Sequence, residues 1–270
     1  MTSAFKAFEL DAWQNVVDEY DAAFARLTEQ VIPSILTVLG VKPGTALLDI
    51  ACGPGYLAAA AQRSGARAVG TDFSARMIAR AQKLYPSIQF DEGDAETLEN
   101  YPDNSFDVAA MNFGMLHFDQ PEKALRAAHR VLKPGGRMAF TVWSTPDRVA
   151  GFSIALKAIE AFGDPSVQLP AGPSFFHFSE PDNCVDAFQR CGFTDVATKT
   201  VDQTWVLNSP EDYFEALLKG TARTGGMLKR QPPVNLAAIR NNIVQTANGY
   251  LDAGKIRLPM PAHLAWATKP

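Results

Sequence analysis

Leu47-Leu48-Asp49-Ile50-Ala51-Cys52-Gly53-Pro54-Gly55-Tyr56-Leu57-Ala58 joins three signals in twelve residues. Residues 45–50 are a short apolar run of the kind that forms a fully buried strand. Asp49 stands near its end, where a carboxylate is costly unless it has a partner. Gly53 and Gly55 allow a turn in which the backbone approaches a ligand with no Cβ in the way. Residues 56–62 then read as the start of a helix. Strand, glycine turn and helix N-terminus form a ligand cradle in doubly wound α/β proteins. Two other readings fit this stretch alone. Gly53-x-Gly55-x-x-Ala58 satisfies the dinucleotide fingerprint, and a strand–turn–helix needs no ligand at all.

Outward from this turn, strands and helices alternate. Residues 67–71 read as a second strand and 74–84 as a helix with Ser74 as its N-cap. Strands are expected at 87–91, 106–111 and 137–143. A helix over 121–132 has proline in its first turn, and Pro134-Gly135-Gly136 stops it. This rhythm implies a mostly parallel sheet with helices on both faces. Upstream, 11–39 reads as helical and broken by Pro33, with Trp13, Val16, Val17, Tyr20, Phe24 and Leu27 on one face. Downstream, helices are expected at 148–162, 179–191, 209–220 and 233–253, a long strand at 193–206 and a last strand at 262–267.

The motif order narrows the choice of ligand. Asp72 closes the second strand 19 residues beyond Gly53, near the spacing of about 20 for a carboxylate that accepts ribose hydroxyls. It also fits a cap or turn aspartate. Gly93-Asp94-Ala95-Glu96 follows the third strand. Residues 106–117 lead through Asn112-Phe113-Gly114-Met115 to His117. Arg130-Val131-Leu132-Lys133-Pro134-Gly135-Gly136-Arg137 follows in turn. Together these resemble the landmarks of the class I S-adenosylmethionine-dependent methyltransferases, in order, over residues 41–145. The group resembled is the small-molecule type of ubiquinone and menaquinone biosynthesis.

The resemblance implies a Rossmann-like, doubly wound α/β fold. Its seven-stranded, mostly parallel sheet has order 3-2-1-4-5-7-6, with added N-terminal helices and helical lid insertions. It implies one methyltransferase domain over 1–270, with an N-terminal helical cover at 1–40 and a cofactor-binding core at 41–145. Acceptor-site additions would lie at 146–180 and 207–255. It implies S-adenosyl-L-methionine as cofactor, bound through Asp49, Ala51, Gly53, Gly55, Asp72, Phe73, Met77, Asp94, Ala95, Asn112 and Phe113. Asp94 and Ala95 match the position that reads adenine. A nicotinamide fold has no need of the Gly-Asp-Ala-Glu element or the Lys-Pro-Gly-Gly landmark, which makes an NAD-dependent oxidoreductase the weaker reading. A methyltransferase-like module that binds cofactor without transferring methyl stays open.

Composition bounds the rest. The 270 residues are 47% hydrophobic and 20% charged, with a formal net charge of −4. That balance argues against a broad phosphate-binding surface and so against nucleic acid. The lack of an Asn-Pro-Pro-Tyr-type motif after the fourth strand disfavours methylation of DNA adenine. No run approaches the roughly 18 apolar residues of a membrane span, and no early apolar core follows the N-terminus. Cys52, Cys184 and Cys191 suggest neither a disulfide framework nor a zinc motif. Their expected role is as small buried hydrophobes in a reducing, cytoplasmic setting. No acidic spacing suggests a metal centre.

A sulfonium methyl is already activated, so the protein must mainly align the acceptor and exclude water. A base is needed only where the acceptor must lose a proton. His117, at the carboxyl edge of the sheet, and His177, in Phe175-Phe176-His177-Phe178, are the candidates. Each also reads as a structural loop histidine. His129 and His263 carry no functional signal. Tyr20, Phe152 and Phe176 are the expected walls of an apolar pocket for a small aromatic or hydrophobic acceptor. The competing reading has these aromatics burying the added helices.

Overall fold

A computed structural model describes residues 3–270. Its ten strands are β1 Ala46–Ile50, β2 Arg67–Asp72, β3 Gln89–Glu92, β4 Phe106–Asn112, β5 Leu132–Trp143, β6 Thr194–Val201, β7 Thr204–Leu207, β8 Leu251–Asp252, β9 Lys255–Pro259 and β10 Ala262–Thr268. Two compact units share the chain. One holds Thr28–Ser144, Pro173–Val201 and Ala262–Pro270; the other holds the residues up to Leu27, Thr145–Gly172 and Asp202–Pro261.

The first unit is built on a seven-stranded sheet of order β3-β2-β1-β4-β5-β10-β6. β10 is the seventh strand of this sheet in chain order, so the expected 3-2-1-4-5-7-6 arrangement is the one observed. β1 to β5 pair in parallel, and β10 runs antiparallel to both β5 and β6. Leu47, Leu48 and Ile50 of β1 are fully buried, as a central parallel strand requires. The helices Tyr56–Arg63 and Ala75–Leu84 bury Ala58, Ala59, Ile78 and Ala81 against Ile88 and Phe90. Ser74 caps the second of these, its Oγ accepting from Met77 N–H at 3.3 Å. On β5, Phe140 packs between Phe178 and Phe188, with ring centroids 5.7 and 5.1 Å away.

The second unit combines helices with a small sheet of order β7-β9-β8. Helices Ala4–Asn15, Val17–Ala23, Ala150–Phe162, Pro210–Gly220, Arg223–Lys229 and Pro233–Ala247 belong to it. Phe24 packs on Trp205, whose indole N–H donates to Ala23 O at 2.9 Å.

Several boundaries differ from the sequence expectation. Helix begins at Ala4, and Pro33 lies in the first turn of the helix Ile32–Leu39, where its missing N–H costs nothing. The expected strand 193–206 is two strands in two sheets. It breaks at Asp202-Gln203, and the buried Gln203 side chain donates to Leu27 O. The expected helix 233–253 stops at Ala247. Ala253 and Gly254, both with positive φ (48° and 75°), then turn β8 into β9. β5 begins at Leu132, with a register shift across the Lys-Pro-Gly-Gly segment. The three cysteines are buried thiols. Among the described residues no single helix is long and apolar enough to cross a membrane.

Candidate functional site

β1, β2, β3 and β4 are neighbours and parallel, so Ile50, Asp72, Glu92 and Asn112 end them on one edge of the sheet. Ligands of open α/β sheets bind at this edge. The turn after β1 is shaped by Ala51, Gly53 and Gly55, all with positive φ (53°, 50° and 85°). The space where a Gly53 Cβ would stand is open, whereas a Cβ on Gly55 would meet Phe90 at 2.6 Å. One glycine therefore leaves room on the ligand side and the other lets the turn close onto the core.

Two buried carboxylates hold this turn. Asp72 Oδ2 accepts from Gly53 N–H and its Oδ1 from Ser74 N–H, each at 2.9 Å. Asp49 Oδ2 accepts from Ala58 N–H at 2.9 Å, in the first helical turn after the glycines. Asp49 Oδ1 is buried and has no hydrogen-bond partner. Burial pushes the Asp49 pKa up to about 8, opposed by the Ala58 amide and helped by the negative charge of Asp72. Burial pushes Asp72 up to about 6, against the amides of Ser74, Gly53 and Phe73. Asp72 is thus a turn clamp whatever else it does, and with three amides on a carboxylate of about four acceptor sites it keeps capacity for a further donor.

The other two strand ends are also built. Asp94 Oδ1 accepts from Glu96 N–H at 3.0 Å, and Ala95 is buried beside it. After β4, Thr141 Oγ1 donates to Asn112 Oδ1 at 2.8 Å and accepts from Phe113 N–H at 2.9 Å. Phe113 has φ 59° and stacks on Trp143 with centroids 4.0 Å apart. A Cβ on Gly114 would strike Ala51 Cβ at 2.7 Å, so the turns after β1 and β4 abut. Two non-glycine residues in the left-handed region, side by side at this edge, are backbone strain of the kind that collects at functional sites. Met77 is buried and Phe73 half-buried next to Asp72. Thr141 carries no motif and was not anticipated; only its place opposite Asn112 in the parallel pair gives it away.

His117 ends the single turn Met115–His117 and is half-buried, with the Phe175 ring edge-on at 6.4 Å; Phe175 in turn meets Phe176 edge-on at 5.0 Å. His177 is exposed, its ring against Phe178 at 4.8 Å. Tyr20 and Phe152 belong to the other unit. There Tyr20 stacks on Phe24 at 5.8 Å and meets Trp13 edge-on at 5.3 Å, while Phe152 is 3% exposed. His129 packs on Phe193, and His263 is buried within β10.

The match to known proteins falls on this edge. Residues 48–140 match the methyltransferase domain family. Over these residues the chain is similar to a methyltransferase domain. The demethylmenaquinone methyltransferase of Renibacterium salmoninarum is 29% identical over 177 residues, which are 62% of this chain and 74% of that protein. That of Chlorobaculum parvum is 45% identical over 91 residues, 33% of this chain and 37% of that protein. The second match thus spans little more than a third of the relative. Among solved structures, the YcgJ protein of Bacillus subtilis superposes with a TM-score of 0.57 at 18% identity, covering 88% of this chain and 97% of that one. At that identity the likeness speaks for the fold alone.

Proposed function

We propose that the protein transfers the methyl group of S-adenosylmethionine to a small, hydrophobic ring acceptor of the quinone type. The observation that carries the cofactor half is Asp49 Oδ1, a buried acceptor with no partner, on the strand that runs into a glycine turn with open space at Gly53. A buried lone acceptor is expensive, and a cationic ligand is what would relieve it. The cofactor has such a cation in its ammonium group. On this reading Asp72 accepts from the ribose hydroxyls, and Asp94 with Ala95 reads adenine. Ala51, Phe73, Met77, Asn112 and Phe113 complete the lining.

When bound, S-adenosylmethionine supplies a methyl group on a positive sulfur. The chain's part is to orient the two reactants and keep water out. On this reading His117 takes a proton from a hydroxyl acceptor, and its edge-on contact with Phe175, which meets Phe176 in turn, supports an apolar surface beside it. The names of the two relatives favour a demethylated naphthoquinone ring as the acceptor. A cytoplasmic location and the absence of nucleic-acid partners belong to this reading.

The test is release of S-adenosylhomocysteine in a panel of acceptors. Demethylated naphthoquinols and simple phenols should give turnover, and phosphoethanolamine should not. Product from the polar acceptors alone would overturn the acceptor class. No heat of binding with either S-adenosylmethionine or S-adenosylhomocysteine would overturn the reading as a whole.

A further inference from the structure

Glu96 follows Asp94 and Ala95 in the loop after β3, and its side chain joins that loop to the turn after β4. Its Oε1 accepts from the backbone N–H groups of Asp119 at 2.9 Å and Gln120 at 3.0 Å. These two amides lead into the helix Pro121–Val131, whose N-cap residue Gln120 makes no side-chain cap. A helix start carries unpaired N–H donors and partial positive charge, so a carboxylate is favourable there. Here it comes from another loop, more than twenty residues away in the chain. The same residue's backbone N–H donates to Asp94 Oδ1. Glu96 is therefore bonded to Asp94 on one side and to the Asp119 and Gln120 amides on the other.

The other end of the same helix is tied to the same loop. The guanidinium of Arg130 donates to the carbonyls of Thr97, Leu98 and Tyr101 at 3.2, 2.8 and 2.9 Å, and to Asp103 at 2.6 Å. Helix 121–131 and loop 93–103 are thus clamped at two places. Met115–His117 sits directly before the Glu96 contacts in the chain, with its far end fixed by the Phe113–Thr141 bond. A short turn pinned on both sides takes its position from the pins.

We propose that Glu96 is a positioning residue that makes adenine occupancy at Asp94 and Ala95 order the His117 turn. It touches neither reactant on this account. It passes the ordering of loop 93–97 to residues 114–120 through a carboxylate that both segments share. The inference rests on the cofactor reading above and adds a route from the cofactor loop to the acceptor side of the site.

Hydrogen exchange with and without saturating S-adenosylhomocysteine tests it, and needs no acceptor. In the unaltered protein the ligand should slow exchange in 93–97 and in 114–120 together, the latter by about fivefold or more. In Glu96→Ala the slowing should persist in 93–97 and vanish in 114–120. Glu96→Gln, whose side-chain oxygen can still accept both amides, should restore most of it. Protection of 93–97 without 114–120 in the unaltered protein overturns the coupling, even if Glu96→Ala does not fold. Equal protection of 114–120 in Glu96→Ala overturns it too. Absence of ligand binding to the unaltered protein overturns the cofactor reading and this inference with it, and calorimetry distinguishes that outcome from the other two.

Discussion

Glu9 and Asp49 are both buried carboxylates, one in each unit, and their surroundings differ in kind. Glu9, on the helix Ala4–Asn15, is fully buried. Its Oε1 accepts from Arg223 Nε at 2.8 Å and its Oε2 from the Trp13 indole at 3.1 Å, and the Arg223 guanidinium lies 4.5 Å from the centre of the Phe5 ring. Asp49 is 1% exposed, holds one backbone amide and leaves its other oxygen without a partner. Both oxygens of the first acid are spent within the fold. The second acid has been desolvated and left half-used. A buried charge with all its partners is structure, whereas one missing a partner is a place for something to bind.

Breaking the Glu9 cluster should give the largest effect. Arg223→Ala removes a counter-charge from a buried carboxylate, and such losses cost about 3–5 kcal/mol. Denaturant unfolding would measure it. Cofactor affinity of the folded fraction should not change, because Glu9 belongs to the unit that lacks the glycine turn. A loss of S-adenosylhomocysteine binding without a loss of stability would dissolve the contrast.

The next effect is on cofactor affinity and pH. Folded-state pKa values raised to about 8 for Asp49 and about 6 for Asp72 mean that the unliganded fold favours their protonated forms. Their contribution to stability is therefore fully present below the unfolded value near 3.8. It is lost as pH rises towards about 6 for Asp72 and about 8 for Asp49. A ligand that brings a cation to Asp49 must take it ionised, so binding runs the other way. Affinity for S-adenosylhomocysteine should rise with pH up to about 8, by as much as about tenfold per unit. Calorimetry at several pH values should also register proton release on binding; a flat profile would mean that neither acid meets the ligand.

Asp49→Asn sharpens the same point with opposite signs. The side-chain oxygen can still accept the Ala58 amide, and no charge remains to be buried. Above pH 8, where the native acid is ionised, the unliganded variant should be the more stable, because an uncharged amide costs less to bury than a carboxylate. Its cofactor affinity should fall about tenfold or more with loss of a charge-assisted bond. Stability up and binding down is the pattern of a group strained for function. If both fall together, Asp49 is packing.

What could be read from the sequence follows the range of the interactions. Asp49, Gly53, Gly55 and Asp72 were legible because the turn they make is closed by bonds spanning 9 and 19 residues, at spacings that strand–turn–helix geometry fixes. The parallel order of the sheet followed from the same alternation. The second unit was not legible to the same degree. Gln203 bonds Leu27 from 176 residues away, Trp205 bonds Ala23 from 182, and Arg223 meets Glu9 from 214. No local pattern encodes those pairings, so the expected strand 193–206 carries no sign of its break and the expected helix 233–253 runs on into β8. Glu96 carries no sequence signal for a related reason: its partners are backbone amides, which have no side-chain identity to read.

The smallest expected effect is at a third acid, Asp107, which is neither buried nor unpaired. It is paired with Lys133 at 2.7 Å, the two side chains being 39% and 43% exposed, and its Oδ2 accepts from Ala46 N–H at 2.8 Å. Those hydrogen bonds hold its pKa below the usual carboxylate value. The sign is opposite to that of Asp49. Stability from a depressed carboxylate is present above about 3.8 and lost as pH falls through the lowered value. Water and salt screen the pair, so Lys133→Ala should cost no more than about 1 kcal/mol, and less in high salt. Asp107→Ala should cost more than Lys133→Ala, since it also leaves the Ala46 amide without its acceptor at the first residue of β1. Thermal unfolding of both variants at low and high salt would measure the difference. If Lys133→Ala proved as damaging as Arg223→Ala, burial would not be what makes the Glu9 pair costlier to break than the Asp107 pair.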